Sequence, residues 1–146
     1  METLKEKTIT VETTVNAPIE KIWSYWTEPD HITRWYYASE DWQAPYAEND
    51  LKVKGRFKTK MAAKDGSAGF DFEGVYTKVL KHKSIEYTIP DGRKVIISFS
   101  ILGNGTRIVE SFEAEKDNSN ELQKGGWQAI LNNFKKYSES KQLYSA

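Results

Sequence analysis

Glu110 carries the carboxyl group whose position in this sequence is chemically most unusual. Apolar and polar residues alternate around it, and Glu110 falls on the apolar face together with Ile108 and Phe112. A carboxylate on a buried face is unfavourable unless it is paired or protonated. Glu110 therefore orients a ligand or titrates, or a bulge shifts the strand register, or the carboxylate pairs with Arg107 or a lysine at the rim. No histidine or second inward carboxylate is placed near it as a catalytic partner.

Few other residues offer catalytic or metal-binding chemistry. His31 is predicted at a helix start and His82 in a turn, both in solvent. Because the two histidines are far apart in sequence, they are only weak evidence for a metal site. The absence of cysteine excludes disulfides, thiolate ligands and a cysteine nucleophile. The sequence also lacks a glycine-rich phosphate loop and a G-x-S-x-G turn. We expect no catalytic residue, no metal and no cofactor.

The composition indicates one domain without a strong overall charge. A chain of 146 residues fits a single domain, 1–146, whose core is predicted at about residues 8–140. Its 21 basic and 21 acidic residues create no global field that would attract nucleic acid or anionic membranes. No apolar stretch has the length of a signal peptide or a membrane span. We expect a cytoplasmic protein that neither binds nucleic acid nor inserts into a membrane.

The beginning of the chain predicts a strand followed by two short helices. Residues 8–15 alternate as a half-buried strand does. Pro29 is predicted to end the first helix, and Asp30 to cap the second. We interpret Trp23 and Trp26 as structural residues that pack on the sheet rather than contact a ligand. The apolar stripes consist of Ile19, Ile22, Trp23 and Trp26 in the first helix and Ile32, Trp35 and Tyr36 in the second.

Alternation with a period of two runs from about residue 39 to about residue 115 and is clearest over 51–61. Odd positions there are apolar and predict a buried Phe57. Even positions form an exposed basic strip made of Lys52, Lys54, Arg56, Lys58 and Lys60. The strip suits an acidic protein or RNA, but Asp71 and Glu73 on the next strand can pair with it across the ladder. We interpret it as a solvated face.

Tight turns join the later strands, and a long helix closes the chain. Turn sequences such as Pro90-Asp91-Gly92 predict antiparallel pairing, because parallel strands need a long crossover. From about Ser119, helical spacing predicts an inward stripe made of Leu122, Gly126, Ile130, Phe134 and Tyr137. The predicted fold is α+β, with a curved antiparallel sheet of about six or seven strands wrapped around that helix.

A series of short motifs runs in order through about residues 8–140. They are Asn16-Ala-Pro-Ile-Glu-Lys-Ile-Trp23, Trp26-Thr-Glu-Pro-Asp-His-Ile-Thr-Arg-Trp35, Gly55-Arg-Phe57, Phe72-Glu-Gly-Val-Tyr76, Gly105-Thr-Arg107 and Gly125-Gly-Trp127. Together they resemble the START-like (SRPBCC) superfamily, in the branch named for the C-terminal domain of the activator of the heat-shock protein 90 ATPase. The resemblance implies a helix-grip fold whose sheet and C-terminal helix enclose a cavity for an apolar ligand.

The resemblance leaves the activity open, because the superfamily includes binding proteins, lipid carriers, cyclases and chaperone activators, and a fold does not determine a function. We favour non-enzymatic binding of a small apolar or aromatic ligand by a monomer or weak homodimer. The first alternative is a co-chaperone-like activator of the heat-shock protein 90 ATPase, which binds a chaperone protein. The second is a cyclase or hydrolase acting on an apolar substrate, with Glu110 and tyrosine hydroxyls as acid and base.

The predicted cavity wall consists mainly of inward-facing rings. Ligand pockets are mostly apolar with a few polar groups, although the same rings also suit a closely packed core. Gly126 either leaves room at the cavity beside Trp127 or lets the helix touch a strand backbone. The candidate ligand-binding residues are Trp35 and Tyr36 near a mouth, with Phe57, Phe72, Tyr76, Tyr87, Phe99, Glu110, Phe112, Gly126, Trp127, Ile130 and Phe134 in the wall.

Overall fold

The computed structural model describes residues 8–143, which form one antiparallel sheet and three helices. The elements are β1 (Thr8–Val15), α1 (Ile19–Thr27), α2 (Pro29–Ile32), β2 (Trp42–Asn49), β3 (Arg56–Ala63), β4 (Gly69–Leu80), β5 (Ser84–Thr88), β6 (Lys94–Leu102), β7 (Gly105–Glu113) and α3 (Asn120–Leu143). The predicted helix-grip α+β fold is confirmed, with a curved sheet, a long C-terminal helix and short helices after the first strand. Within the described residues, no helix is long and apolar enough to cross a membrane.

Tight connections determine the order of the sheet. Each strand from β2 to β7 pairs with the next along the chain, and β1 pairs with β7, which gives the order β1-β7-β6-β5-β4-β3-β2. The register of β7 is unbroken on both sides, and Glu110 lies opposite Val11 of β1 and Ile97 of β6. The alternation of side chains therefore directs Glu110 towards the same face as its apolar neighbours.

Aromatic side chains connect α1 and α3 to each other and to the inner face of the sheet. The ring centroid of Trp35 lies 4.6 Å from that of Phe134 and 4.9 Å from that of Trp26. Trp35 has no exposed surface, and its Nε1 donates to the backbone carbonyl of Tyr25 at 2.9 Å. A buried indole N–H needs such a partner, so this bond anchors Trp35 in the core.

The junction between the two short helices differs from the prediction. α1 ends before Pro29, but Pro29 itself begins α2, with Glu28 rather than Asp30 as the N-cap residue. Proline suits the first helical position because its missing N–H would be unpaired there anyway. α2 is so short that Trp35 and Tyr36 follow it in a turn and a loop instead of belonging to it.

The strand predicted over 51–61 begins later, at Arg56. The preceding residues form a tight turn in which the exposed Lys54 has a φ of 72°. Gly55 suits this turn because a Cβ at its position would come within 2.0 Å of the backbone oxygen of Asp50. The alternation of apolar residues therefore extended further in sequence than the strand does in space.

The predicted register of β3 is confirmed from its first residue onward. Arg56 is exposed, while Phe57 and Lys58 are each partly exposed, so Phe57 is less buried than predicted. Lys58 lies opposite Glu73 of β4 and Glu48 of β2. The basic strip therefore has acidic neighbours across the ladder, as the sequence suggested.

Apolar residues at the ends of elements extend past the core. Phe70 is 52% exposed, Ile101 71% and Leu122 64%, although helical spacing placed Leu122 on the inward stripe. On α3 the neighbouring Gln123 is buried instead, and its side-chain oxygen accepts from the backbone N–H of Glu115 at 2.8 Å. The first turn of α3 is thus rotated by about 100° from the predicted stripe.

Both histidines were predicted to lie in solvent, but in the structure both pack against aromatic rings. His31 is half-buried, and its Nδ1 lies 2.6 Å from the hydroxyl oxygen of Tyr137. His82 meets the ring of Trp23 edge-on with centroids 5.9 Å apart. Among residues 8–143, no group of three or more histidine, cysteine, aspartate or glutamate side chains is arranged to hold a metal ion.

Candidate functional site

A small pocket lies between the inner face of the sheet and the segment that contains α1 and α2. Its volume is about 40 Å³, far below the roughly 300–1,000 Å³ of ligand-binding pockets. The pocket is therefore closed to a drug-sized molecule in this conformation. Its wall consists of Trp26, Ile32, Tyr36, Glu48, Asn49, Phe57, Thr59, Phe72, Tyr76, Ile85, Tyr87 and Ile97.

The structure divides the candidate ligand-binding residues into wall and core. The residues that line the pocket are Tyr36, Phe57, Phe72, Tyr76 and Tyr87. Other rings pack in the core with little or no exposure, namely Trp35, Phe99, Phe112 and Phe134. The predicted position of Trp35 near a mouth is wrong, because its indole N–H is bonded deep in the core.

The pocket lies beside α3 rather than against it. Trp127 stacks on Phe112 with centroids 3.9 Å apart and planes 12° apart. The ring of Trp127 also meets Phe72 of the pocket wall nearly edge-on, at 5.9 Å. The candidates Gly126, Trp127, Ile130 and Phe134 of α3 therefore do not line this pocket, and α3 supports the wall through the Trp127 ring.

The pocket also has wall residues that the sequence prediction missed. Trp26, interpreted as purely structural, lines the pocket and also packs on Phe99. Thr59 is buried on an inward position of β3, so alternation could have identified it. Glu48 and Asn49 lie at the end of β2, where a register shift earlier in the strand obscures the alternation.

Hydrogen bonds connect one side of the pocket to α1. The hydroxyl of Tyr76 donates to Oδ1 of Asn49 at 2.5 Å, and Nδ2 of Asn49 donates to the carbonyl of Thr27 at 2.7 Å. Burial raises the pKa of Tyr76 well above its usual value. Tyr76 therefore stays neutral, and its hydroxyl fixes β4 against β2 and the end of α1.

Two further tyrosine hydroxyls form a second polar group in the pocket. The hydroxyl groups of Tyr36 and Tyr87 lie within electrostatic range of each other. Burial raises the pKa of both hydroxyls well above the usual value, and the nearby carboxyl group of Glu110 raises it further. Both tyrosines are thus neutral donors within electrostatic range of Glu110.

Glu110 is buried on the inner face of β7, with 4% of its surface exposed. The unbroken strand register excludes the bulge considered above. Arg107 pairs with Glu12 at 2.9 Å instead of with Glu110. Among the described residues, Glu110 has no hydrogen-bond or ion-pair partner. The carboxyl group is therefore inward and unpaired.

Burial keeps the carboxyl group of Glu110 mostly protonated near neutral pH. Burial raises its pKa from 4.5 to about 8. At pH 7 the group mostly carries its proton and can donate a hydrogen bond, and above pH 8 it becomes a carboxylate. A buried carboxyl group with such a shift and a nearby pocket is a candidate functional residue on physical grounds.

A larger groove of about 440 Å³ lies on the opposite side of Phe57 and includes part of the basic strip. Phe57 and Glu48 line both the groove and the inner pocket. A Cβ at Gly74 would come within 2.7 Å of the Phe57 ring. Gly74 thus provides the room that Phe57 occupies, and Phe57 separates the groove from the pocket.

The environment of Gly126 distinguishes the two interpretations of the glycine pair in α3. A Cβ at Gly126 would meet no atom within 4 Å. The interpretation that Gly126 lets α3 touch a strand backbone is therefore wrong. Open space adjoins this turn of the helix.

Replacing Gly126 by alanine is expected to raise the free energy of unfolding by about 1 kcal/mol, because alanine favours a helix and meets no neighbour. Gly74→Ala is the matched control and is expected to lower it by about 1–3 kcal/mol. Its Cβ would lie 2.7 Å from the Phe57 ring and 2.9 Å from the backbone oxygen of Thr88. Urea denaturation of both variants measures the difference. Shifts in the same direction would contradict this view of the two glycines.

The fold and the pocket together define a class of protein. A seven-stranded antiparallel sheet with a long C-terminal helix and short helices after β1 is the helix-grip arrangement of the START-like superfamily. Residues 16–139 match the family described as Activator of Hsp90 ATPase homolog 1-like protein, and the chain belongs to that family.

Solved structures agree with this assignment. The solution structure of an AHSA1-like protein from Aeromonas hydrophila is 42% identical, with a TM-score of 0.88 over 95% of this chain and 96% of the other. Chr148 from Cytophaga hutchinsonii is 56% identical, with a TM-score of 0.80 over 96% and 97%. NE0264 from Nitrosomonas europaea, at 19% identity, shares the fold with a TM-score of 0.80 over 93% and 96%. No curated protein matches the chain.

Proposed function

We propose that this protein binds a small, largely apolar molecule in the pocket beside α3, without catalysing a reaction, and that Glu110, Tyr36 and Tyr87 supply its polar contacts. The main support is the carboxyl group of Glu110, which has no partner among the described residues and lies between Ile108 and Phe112 on the inner face of β7. A buried polar group without a partner destabilises a fold by about 1–3 kcal/mol. A residue that costs stability is better explained by a ligand than by packing.

Ligand entry requires the wall to move, since the pocket is smaller than any drug-sized molecule. Tyr36 and Phe57 are the side chains suited to this movement, because both line the pocket and both keep part of their surface exposed. Tyr36 lies in the loop after α2, and Phe57 borders the outer groove. We expect a ligand to displace these rings and to enlarge the pocket.

The alternatives have less support. Two cations of the basic strip, Lys58 and Lys60, lie opposite Glu73 and Asp71 of β4, which interrupts the positive charge that a chaperone surface would recognise. A cyclase or hydrolase needs an acid and a base in reach of one another. Within residues 8–143, the titratable groups near Glu110 are neutral tyrosine hydroxyls, so binding fits the geometry better than catalysis.

A fluorescent apolar probe, N-phenyl-1-naphthylamine, tests the proposal. Thr59→Leu adds an apolar side chain to the pocket wall and is expected to weaken probe binding at least ten-fold. Thr14→Leu, the same change at an exposed position of β1, serves as the control and should bind as the parent does. Equal affinity of all three proteins, with both variants folded, would place the probe elsewhere and contradict the proposal.

A further inference from the structure

Glu110 does not line the pocket, but it lies opposite the wall residue Ile97 across the ladder and is the buried carboxyl group next to the wall, whereas the wall residue Glu48 is exposed to solvent. Among residues 8–143, the titratable side chains within electrostatic range of Glu110 are Tyr36, from the loop after α2, and Tyr87 of β5, with Tyr76 of β4 next to them. The strands beside β7 place Val11 and Ile97 opposite Glu110, and neither titrates. The buried residues of α3 are Gln123, Leu131, Phe134 and Ser138, which carry no charge. No cation in the described part of the chain balances Glu110 when it ionises.

Aromatic rings surround the same pocket. Phe57 meets Tyr87 edge-on at 4.7 Å and lies 5.3 Å from Tyr76. Phe72 stacks with Tyr36 at 5.8 Å and lies 5.8 Å from Phe57. All five rings line the pocket. Because the face of an aromatic ring is electrostatically negative, several rings around one space favour a cation there, as in aromatic cages for quaternary ammonium groups.

The two features favour the same ligand chemistry. A carboxylate repels an anionic ligand, whereas a cation beside it offsets the cost of burying the charge. Tyr36 and Tyr87 can turn their hydroxyl hydrogens towards the carboxylate when it forms. A neutral ligand would use Glu110 only as a hydrogen-bond donor and would gain little from the rings.

We propose, on the basis of the function proposed above, that the ligand of this pocket carries an amine or ammonium cation that lies within the ring of Tyr36, Phe57, Phe72, Tyr76 and Tyr87. Glu110, which adjoins the wall at Ile97, then faces this cation as a carboxylate once the wall has moved. The apolar remainder of the ligand then contacts Ile85, Ile97 and the displaced wall.

Two isosteric probes separate charge from shape. Phenyltrimethylammonium and tert-butylbenzene have nearly the same shape and differ in one positive charge, and each is titrated against bound N-phenyl-1-naphthylamine. At pH 9 the cation is expected to bind at least ten-fold more tightly than the neutral probe. At pH 6 the proton on Glu110 competes, and the preference should shrink several-fold. Glu110→Gln should reduce the preference for the cation at pH 9 several-fold and remove its pH dependence, while tert-butylbenzene still binds.

The outcomes distinguish this inference from the proposed function. If N-phenyl-1-naphthylamine binds and Thr59→Leu weakens it, but the neutral probe competes as well as the cation at pH 9, the inference is wrong and the proposed function stands. An unchanged preference in Glu110→Gln would likewise overturn the inference. If the fluorescent probe does not bind in the pocket at all, both are contradicted.

Discussion

Replacing Glu110 by glutamine is expected to raise the free energy of unfolding at pH 7 by up to about 3 kcal/mol. The pKa of Glu110 is raised from 4.5 to about 8 by burial, and each unit corresponds to about 1.4 kcal/mol. At pH 7 the unfolded chain gains stability by releasing this proton, while the folded protein keeps it. Glutamine has no proton to release in either state, so the variant loses this disadvantage.

The destabilising effect of Glu110 is expected to depend on pH. Below pH 4.5 Glu110 is protonated in both states and has no effect, so its destabilisation grows as the pH rises and levels off above about pH 8. In urea denaturation between pH 4 and pH 9, the free energy of unfolding of Glu110→Gln should increase relative to that of the parent as the pH rises. Glu20→Gln, at an exposed position of α1, is the control. A constant difference across the window, or a less stable Glu110→Gln, would show that Glu110 is not buried and unpaired.

Replacing Trp35 by alanine is expected to lower the free energy of unfolding by about 3–5 kcal/mol. Trp35 has no exposed surface, its indole is bonded to the carbonyl of Tyr25, and its own carbonyl accepts from Nδ2 of Asn133 at 2.8 Å. The loss is a large share of the about 5–15 kcal/mol that stabilises a typical domain.

Trp42→Ala provides the matched control for this loss. Trp42 begins β2 and is only half-buried, and its ring centroid lies 6.0 Å from that of the exposed Phe70. Its replacement should cost much less, because it leaves no enclosed cavity. Thermal unfolding of both variants at one pH measures the contrast. Equal losses would contradict the placement of Trp35 in the core.

Alternation predicted most of the sheet, because a strand with one buried face must repeat every two residues. The inward position of Glu110 was predicted in this way, and the unbroken register of β7 agrees with it. The start of β3 was not, because Lys54 and Gly55 continue the pattern while the backbone turns. Helical spacing was less exact at the start of α3, where Leu122 and Gln123 differ by one position and only the packing selects between them.

The sequence could not predict which inward-facing rings line the pocket and which pack in the core. Tyr36 lines the pocket and Trp35 is enclosed, although the two are neighbours with similar hydrophobicity. An inward ring has the same pattern in sequence whether it borders a space or another ring. The stack of Trp127 on Phe112 depends on how α3 crosses the sheet, which no local pattern specifies. Polar wall residues such as Asn49 depend likewise on contacts with distant segments.

Isoleucine methyl NMR shows whether the pocket beside α3 is a binding site. Ile85 and Ile97 line the pocket, whereas Ile101 is 71% exposed at the far end of β6. With N-phenyl-1-naphthylamine bound, we expect intermolecular NOEs from the probe to the methyl groups of Ile85 and Ile97, and none to Ile101. NOEs to Ile101 without any to Ile85 or Ile97 would contradict it.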